Sequence, residues 1–277
     1  MMLALNGATI MRSPLGEDVE IAAACGYGAV EVWAGKLAAY ERERPLAALA
    51  ERMGELGMRA WCINSIEDIT HRDAAGRRAV LAEVERLASV ARMLGAPSIV
   101  VVPGARPDGA GPDGSVRAAV DVLREMSDAA GGVGLAFEFL GKPRCAVPTL
   151  DMAVEIVEAA DRRNVGMVID TFHFHAGGSR LDDIARVDVE KLFVVHVNGC
   201  EDRPREELTD AHRLYPGEGA IPIEAVLSRL RARGYDGMFS VEIFRPEYWE
   251  QDPREVACTA RERAAAVLSQ AGYTFDG

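Results

Sequence analysis

Four ionisable side chains interrupt four otherwise apolar runs: Glu138 in AFEFL, Asp170 in VIDTF, His196 in VVHVN and Glu242 in SVEIF. An unpartnered carboxylate in an apolar interior is expensive, so such positions imply a partner. Taken singly, each residue has an ordinary account. Glu138 or Glu242 would form an ion pair with an arginine, Asp170 would cap the turn it opens, and His196 would be a hydrogen-bonded core histidine. Taken together, three carboxylates and one imidazole form an oxygen-rich donor set for one divalent metal ion. That set favours Mn²⁺ or Mg²⁺ and accommodates Co²⁺ or Zn²⁺. Such a cation would offset the cost of burying the acids.

Other residues stand where they could reach a substrate. His173 lies three positions beyond Asp170, and Arg213 precedes the turn YPGEG. Asn6, Glu31 and Asn64 fall near the ends of three further apolar runs and are expected to line the same mouth. Trp33, Trp61 and Trp249 are candidates for an apolar wall, whereas Phe172 and His175 read as packing or supporting residues.

What positions these groups is an alternation of short β-type runs with longer runs of helical period. The strand candidates are eight: 3–10, 29–34, 59–64, 98–103, 134–140, 165–172, 192–199 and 237–244. Between them Leu46, Leu49, Ala50, Met53 and Leu56 form one apolar stripe, and Val80, Val84, Leu87 and Ala91 another. Leu150, Ala153, Val154 and Val157 repeat the pattern, as do Ile223, Val226, Leu227 and Leu230. Eight strand–helix units predict an α/β fold, a (β/α)8 TIM barrel spanning residues 1–277 as one domain. A doubly wound open sheet is the competing architecture, but the first turn, NGATIMRSPLG, lacks the G-x-G-x-x-G fingerprint. The longest irregular stretches, 103–115 and 198–222, both follow strand ends, the side on which barrels build their sites.

Bulk properties exclude several classes. With 31 basic against 43 acidic residues the net charge is −12, which disfavours a nucleic-acid partner because phosphate contacts need clustered Lys and Arg. An abasic-site endonuclease, which shares some of this wording, is disfavoured further by a total of five histidines. Cys25, Cys62, Cys145, Cys200 and Cys258 are scattered, odd in number and never spaced C-x-x-C, so reduced thiols are expected. The start, MMLALNGATIM, lacks a basic n-region, and no apolar run approaches the ~20 residues of a membrane span. The expectation is a cytoplasmic protein with a small-molecule partner and no membrane. The sequence leaves homo-oligomerisation open.

The order Glu138, D-T-F-H (Asp170 to His173), H-V-N (His196 to Asn198), R-L-Y-P-G-E-G and Glu242 resembles the xylose-isomerase-like superfamily of sugar isomerases and epimerases. The likeness runs nearly the whole chain. It is densest in EFLGKPRC (138–145), NVGMVIDTFHFHAGGS (164–179), LTDAHRLYPGEGAIP (208–222) and SVEIFRPEYW (240–249), and nearest to the branch that isomerises 2-keto-myo-inositol. The first half, including CINSIEDITH (62–71), matches less clearly. The resemblance implies that Glu138, Asp170, His196 and Glu242 hold one divalent metal. It also implies that Glu138 and Glu242 act as acid and base, and that His173 and Arg213 bind substrate oxygens. The implied reaction moves a carbonyl of a cyclic polyol ketone to the adjacent carbon through an enediolate. The same intermediate would serve a ketose 3-epimerase or a dehydratase of 3-dehydroshikimate type. A non-catalytic polyol-binding barrel is a further alternative.

Overall fold

The computed structural model describes residues 1–274. Its strands are β1 (Met2–Asn6), β2 (Ala29–Trp33), β3 (Arg59–Ile66), β4 (Ser98–Val101), β5 (Gly134–Glu138), β6 (Val165–Asp170), β7 (Leu192–Val197), β8 (Gly199–Cys200), β9 (Arg213–Leu214) and β10 (Met238–Val241). Eight of them close into a barrel in the order β1-β10-β7-β6-β5-β4-β3-β2, every pair parallel. The short β8 and β9 pair antiparallel as a separate ribbon. Each of the eight apolar runs supplies one barrel strand, so the closed barrel holds and the open sheet does not.

The helical stripes face the barrel. Leu46, Leu49 and Met53 are buried on helix Leu46–Glu55, and Val80, Val84, Leu87 and Ala91 on helix Ala74–Leu94. That second helix starts at Asp73, whose side chain accepts the Gly76 amide, and stops at Gly95, whose φ of 71° suits glycine. With helices outside and side chains packed inside, the strands are covered on both faces, which explains their continuous hydrophobicity.

Strand parity sets what points inward. A lower layer of small and branched residues fills the barrel: Cys62, Val100, Ala136, Val168 and Val194, with Ala4, Ala29 and Met238 beside them. Two positions further along their strands stand Asn64, Val102, Glu138, Asp170, His196, Asn6, Glu31 and Ser240, and Glu242 follows one more step up. Side chains two apart share a face of a strand. The polar groups therefore form a tier directly above an apolar plug, at the carboxyl ends of the strands.

Two local expectations change. The run 165–172 does not continue as a strand to Phe172: Oδ1 of Asp170 accepts the His173 amide at 2.8 Å and turns the chain into helix Thr171–Ala176. The cysteines are not all reduced: Cys25 and Cys258, 233 residues apart, form a disulfide, while Cys62, Cys145 and Cys200 are buried and free. Spacing could not reveal this pair, because closing the barrel is what brings the first helix, Leu15–Ala24, against the last, Pro253–Gln270. Among the described residues no helix is long and apolar enough to cross a membrane.

Candidate metal centre

Glu138 ends β5, Asp170 ends β6, His196 lies on β7, and Glu242 directly follows β10. These four strands are consecutive around the ring, and Asp170 pairs in register with His196. All four side chains are buried and offer ligand atoms within 4.8 Å of one another. Nδ1 of His196 stands at the centre. It lies 3.1 Å from Oε1 of Glu138, 3.4 Å from Oε2 of Glu242 and 3.6 Å from Oδ2 of Asp170.

The imidazole is aimed from behind. Both carboxylate oxygens of Glu31 lie 3.1 Å from Nε2 of His196, and Asn64 donates to Oε1 of Glu31 at 2.9 Å. A carboxylate behind Nε2 keeps a proton there and leaves Nδ1 to face the cluster, the supporting arrangement usual for ligating histidines. Burial opposes a charged ring, but Glu242, Glu31 and Glu138 raise the His196 pKa well above the ordinary value, so a cation bound there would displace the Nδ1 proton. Burial opposes ionisation of Glu31, yet His196 and the hydrogen bond from Asn64 hold its carboxyl below the ordinary range. Glu31, expected as one of several mouth residues, is instead the backing group of the centre.

The charges fit a cation. Glu31, Glu138, Asp170 and Glu242 place four carboxylates in one buried tier, with Arg213 and His196 as the adjoining bases. With all four carboxyls ionised and the imidazole protonated, the acids would outnumber the bases by two, a deficit that a divalent ion matches. Burial, with Glu138 and Asp170 close by, pushes Glu242 up to about 8 against the pull of His196 and Arg213. The donor set, its convergence and its excess negative charge therefore suit one divalent metal ion.

Arg213 is no solvated arginine. It is 1% exposed, with its guanidinium over the rings of Phe172 at 4.8 Å and Phe244 at 5.3 Å. Nη1 donates to Oδ2 of Asp170 at 2.7 Å and to Oε2 of Glu242 at 3.0 Å; Nη2 donates to Nε2 of His173 at 3.1 Å. Arginine can only donate, so neutral His173 carries its proton on Nδ1. That atom is buried and, among the described residues, has no hydrogen-bond partner. Burial, opposed by Asp170, lowers the His173 pKa, consistent with a neutral ring.

Asn6 and Asn64, expected at the mouth, both reach Glu242, and Asn64 also lines the cavity. Nδ2 of each donates to Oε1 of Glu242 at 2.9 Å, and the Asn6 Oδ1 is taken by the Ala8 amide. Two amides on one oxygen and a guanidinium on the other fix the Glu242 carboxylate. Asn198 was not singled out by sequence, though it belongs to H-V-N; its Nδ2 donates to Oδ2 of Asp170 at 2.9 Å.

Above the centre opens a cavity of about 480 Å³, lined by Glu138, Glu242, His173, Arg213, Asn64 and the side of Trp33, among others. Asp170 and His196 lie beneath its floor. Trp33 is the expected tryptophan found there. Trp61 borders a depression with Pro97 and Ser98, at the start of β4, and Trp249 lies near Ile10 and Pro14, its indole N–H donating to the Ala8 carbonyl. Neither can wall this pocket, because strand parity and loop placement put them elsewhere. Lys142 and Asp210, overlooked in the sequence, also line the cavity.

A closed parallel barrel with such a tier defines a class, and the comparison agrees: the chain belongs to the xylose isomerase-like TIM barrel family, whose model matches residues 19–264. Among its relatives, the inosose isomerase of Bacillus velezensis is 37% identical over 274 residues, covering 98% of each chain. A crystal structure of the IolI protein with a bound zinc atom superposes with a TM-score of 0.96 at 35% identity, over 99% of this chain and 100% of that one. The 3-dehydroshikimate dehydratase of Pseudomonas aeruginosa is more distant, 27% identical over 86% of this chain but only 37% of its own.

Proposed function

We propose that the chain is a divalent-metal-dependent isomerase that moves the carbonyl of 2-keto-myo-inositol to the adjacent ring carbon. The observation that carries this reading is the buried four-residue cluster at the floor of the cavity. Full-length similarity to an inosose isomerase supports the substrate. Glu138, Asp170, His196 and Glu242 would hold the ion, and we propose Mn²⁺ first because three of the four donors are carboxylates. When bound, a divalent ion supplies Lewis-acid charge that polarises the ketone and offsets the charge of its enediolate form.

The chain's own residues do the rest. Glu138 and Glu242 face the cavity, so these carboxylates have access to the carbon-bound proton. One takes it from the carbinol carbon beside the ketone while the ketone oxygen takes up a proton from solvent, so that the carbon–carbon double bond of an enediol forms; the hydroxyl proton released in the second half balances that uptake. Return of a proton to the former carbonyl carbon, with loss of the neighbouring hydroxyl proton, leaves the ketone one carbon over. His173 offers its unpartnered Nδ1–H to a substrate oxygen, and Arg213 steadies the carboxylate of Glu242. Trp33 and Phe244 give the ring carbons an apolar wall. This reading takes residues 1–277 as one domain.

Proton NMR of 2-keto-myo-inositol incubated with the protein and Mn²⁺ tests the reading. Appearance of the 1-keto isomer, blocked by EDTA, is expected. No conversion with Mn²⁺, Zn²⁺, Co²⁺ or Mg²⁺ overturns it, and turnover of a ketohexose or 3-dehydroshikimate in the same panel replaces it with epimerisation or dehydration. A cytoplasmic location belongs to the same proposal. Recovery with periplasmic or secreted proteins, the setting that favours a Cys25–Cys258 disulfide, replaces that part.

A further inference from the structure

The guanidinium of Arg213 faces two ways. Its Nη1 edge touches Asp170 and Glu242, two of the four cluster residues, while its Nε and Nη2 point toward the cavity rim. At that rim one carboxylate oxygen, Oδ1 of Asp210, accepts from Nη2 at 3.0 Å and from Nε at 3.3 Å. Asp210 opens the 3-10 turn Asp210–His212, three residues before Arg213, so the local turn delivers both partners together. Its second oxygen pairs with Nζ of Lys142 at 2.6 Å, and Nε2 of His173 lies 3.8 Å from Oδ1. Lys142 comes from the loop after β5, four positions beyond Glu138. The result is a continuous polar chain, Lys142–Asp210–Arg213–Asp170/Glu242, that ties two loops across the cavity.

Without Asp210, the buried positive charge of Arg213 would have Asp170 and Glu242 as its remaining anionic partners. Nη1 already donates to the two oxygens that face Nδ1 of His196, and with no anion holding the opposite edge the rest of the guanidinium charge would be drawn in behind it. A guanidinium seated there competes with a cation for the same lone pairs and repels it by like charge. Asp210 draws that charge the other way and fixes which edge of the guanidinium each group receives.

We infer that Asp210 is a positioning residue: it holds the Nε/Nη2 edge of Arg213 so that Asp170 and Glu242 remain available to a divalent cation, and Lys142 anchors it there. The inference rests on reading the four-residue cluster as a cation site. It assigns Lys142 and Asp210, at the rim, a function exercised through Arg213 and not through the substrate.

The test is calorimetric titration of chelator-stripped full-length protein with Mn²⁺, without substrate, alongside turnover at saturating Mn²⁺. Asp210→Asn keeps the size and removes the charge. Its Mn²⁺ affinity is expected to fall by about tenfold, in the range seen when groups supporting metal ligands are removed. Asp210→Glu, which restores the charge, should recover most of the loss. Lys142→Met, which keeps Asp210 but frees it, should shift affinity in the same direction by a smaller factor. Wild-type Mn²⁺ affinity in folded Asp210→Asn overturns the inference. If that variant does not fold, Lys142→Met decides: unchanged affinity overturns the inference, weakened affinity upholds it. Wild-type protein that binds Mn²⁺ but leaves 2-keto-myo-inositol unchanged refutes the proposed reaction and leaves this titration decisive. Wild-type protein that binds no divalent ion removes the cation site and the inference with it.

Discussion

At the residue scale the centre depends on carboxylates held in place by named partners, Glu242 most of all. Glu242 is expected to be indispensable for proton transfer, because it faces the cavity while two amides and Arg213 hold it still. Glu242→Gln should lower kcat by about 10²–10⁴-fold, the usual worth of a general acid–base group, while Mn²⁺ still binds. Wild-type turnover in that variant would remove Glu242 from the chemistry. Glu31 never touches the cavity, so Glu31→Gln should act on the ion: an amide cannot hold the imidazole as a carboxylate does, and affinity should fall about 10–100-fold. Unaltered Mn²⁺ binding there would show that His196 needs no backing. Asp210 carries a pH signature as well. Burial alone would raise its carboxyl, but the charges of Arg213 and Lys142 hold it below the ordinary range. A depressed folded pKa stabilises the fold above the unfolded value of about 4, and that contribution is lost as the pH falls through the folded pKa. Acid unfolding of the metal-free protein should accordingly show a shallower pH dependence in Asp210→Asn than in the wild type; identical curves would contradict it.

At the element scale, the ribbon β8–β9 exists to deliver Arg213. It runs directly into the turn YPGEG, which comes back against Cys200; there Gly219 has φ of 78° and a Cβ would lie 1.6 Å from the Cys200 carbonyl oxygen. Neither strain nor overlap can be relieved by a side chain, because the obstructing atom is backbone. Gly219→Ala should therefore cost about 1–3 kcal/mol and displace Arg213, seen as a lower Tm with weaker activity. A fully stable and active variant would detach the ribbon from the site. The barrel strands were legible in sequence because each is a short apolar run between helical stripes. Their ends were less so: Asp170 turns β6 into a helix by a side-chain cap, a local competition that hydrophobicity does not register. The ribbon was hidden as well, since two-residue strands carry no periodicity.

At the scale of the whole molecule, an ion shared by four strands should clamp the barrel. Binding to the folded state alone raises stability by mass action, so Mn²⁺ at a hundredfold excess over Kd should add about 2.7 kcal/mol, with EDTA reversing both that rise in Tm and activity. No metal-dependent shift would refute the clamp. The Cys25–Cys258 bridge closes a 233-residue span between the first and last helices. Its removal by Cys258→Ala should cost about 2–5 kcal/mol of stability and leave the distant cavity's chemistry intact. An unchanged Tm in that variant, measured under non-reducing conditions, would show the bridge is not formed.

The sequence by itself determined the eight strand–helix units and the acids and imidazole set into the last four strands, because burial of a charged group in an apolar run is a local anomaly that needs no coordinates. Parity along each strand already put those groups on one face. Tertiary structure alone decided the division of labour among them. Which nitrogen of His196 faces the carboxylates, that Glu31 stands behind it, that Asn6 and Asn64 serve Glu242, and that Asp210 and Lys142 hold Arg213 all depend on contacts between residues up to 236 positions apart. Such contacts arise when the sheet closes on itself, and pattern along a chain carries no record of which side chains closure will bring within hydrogen-bonding distance.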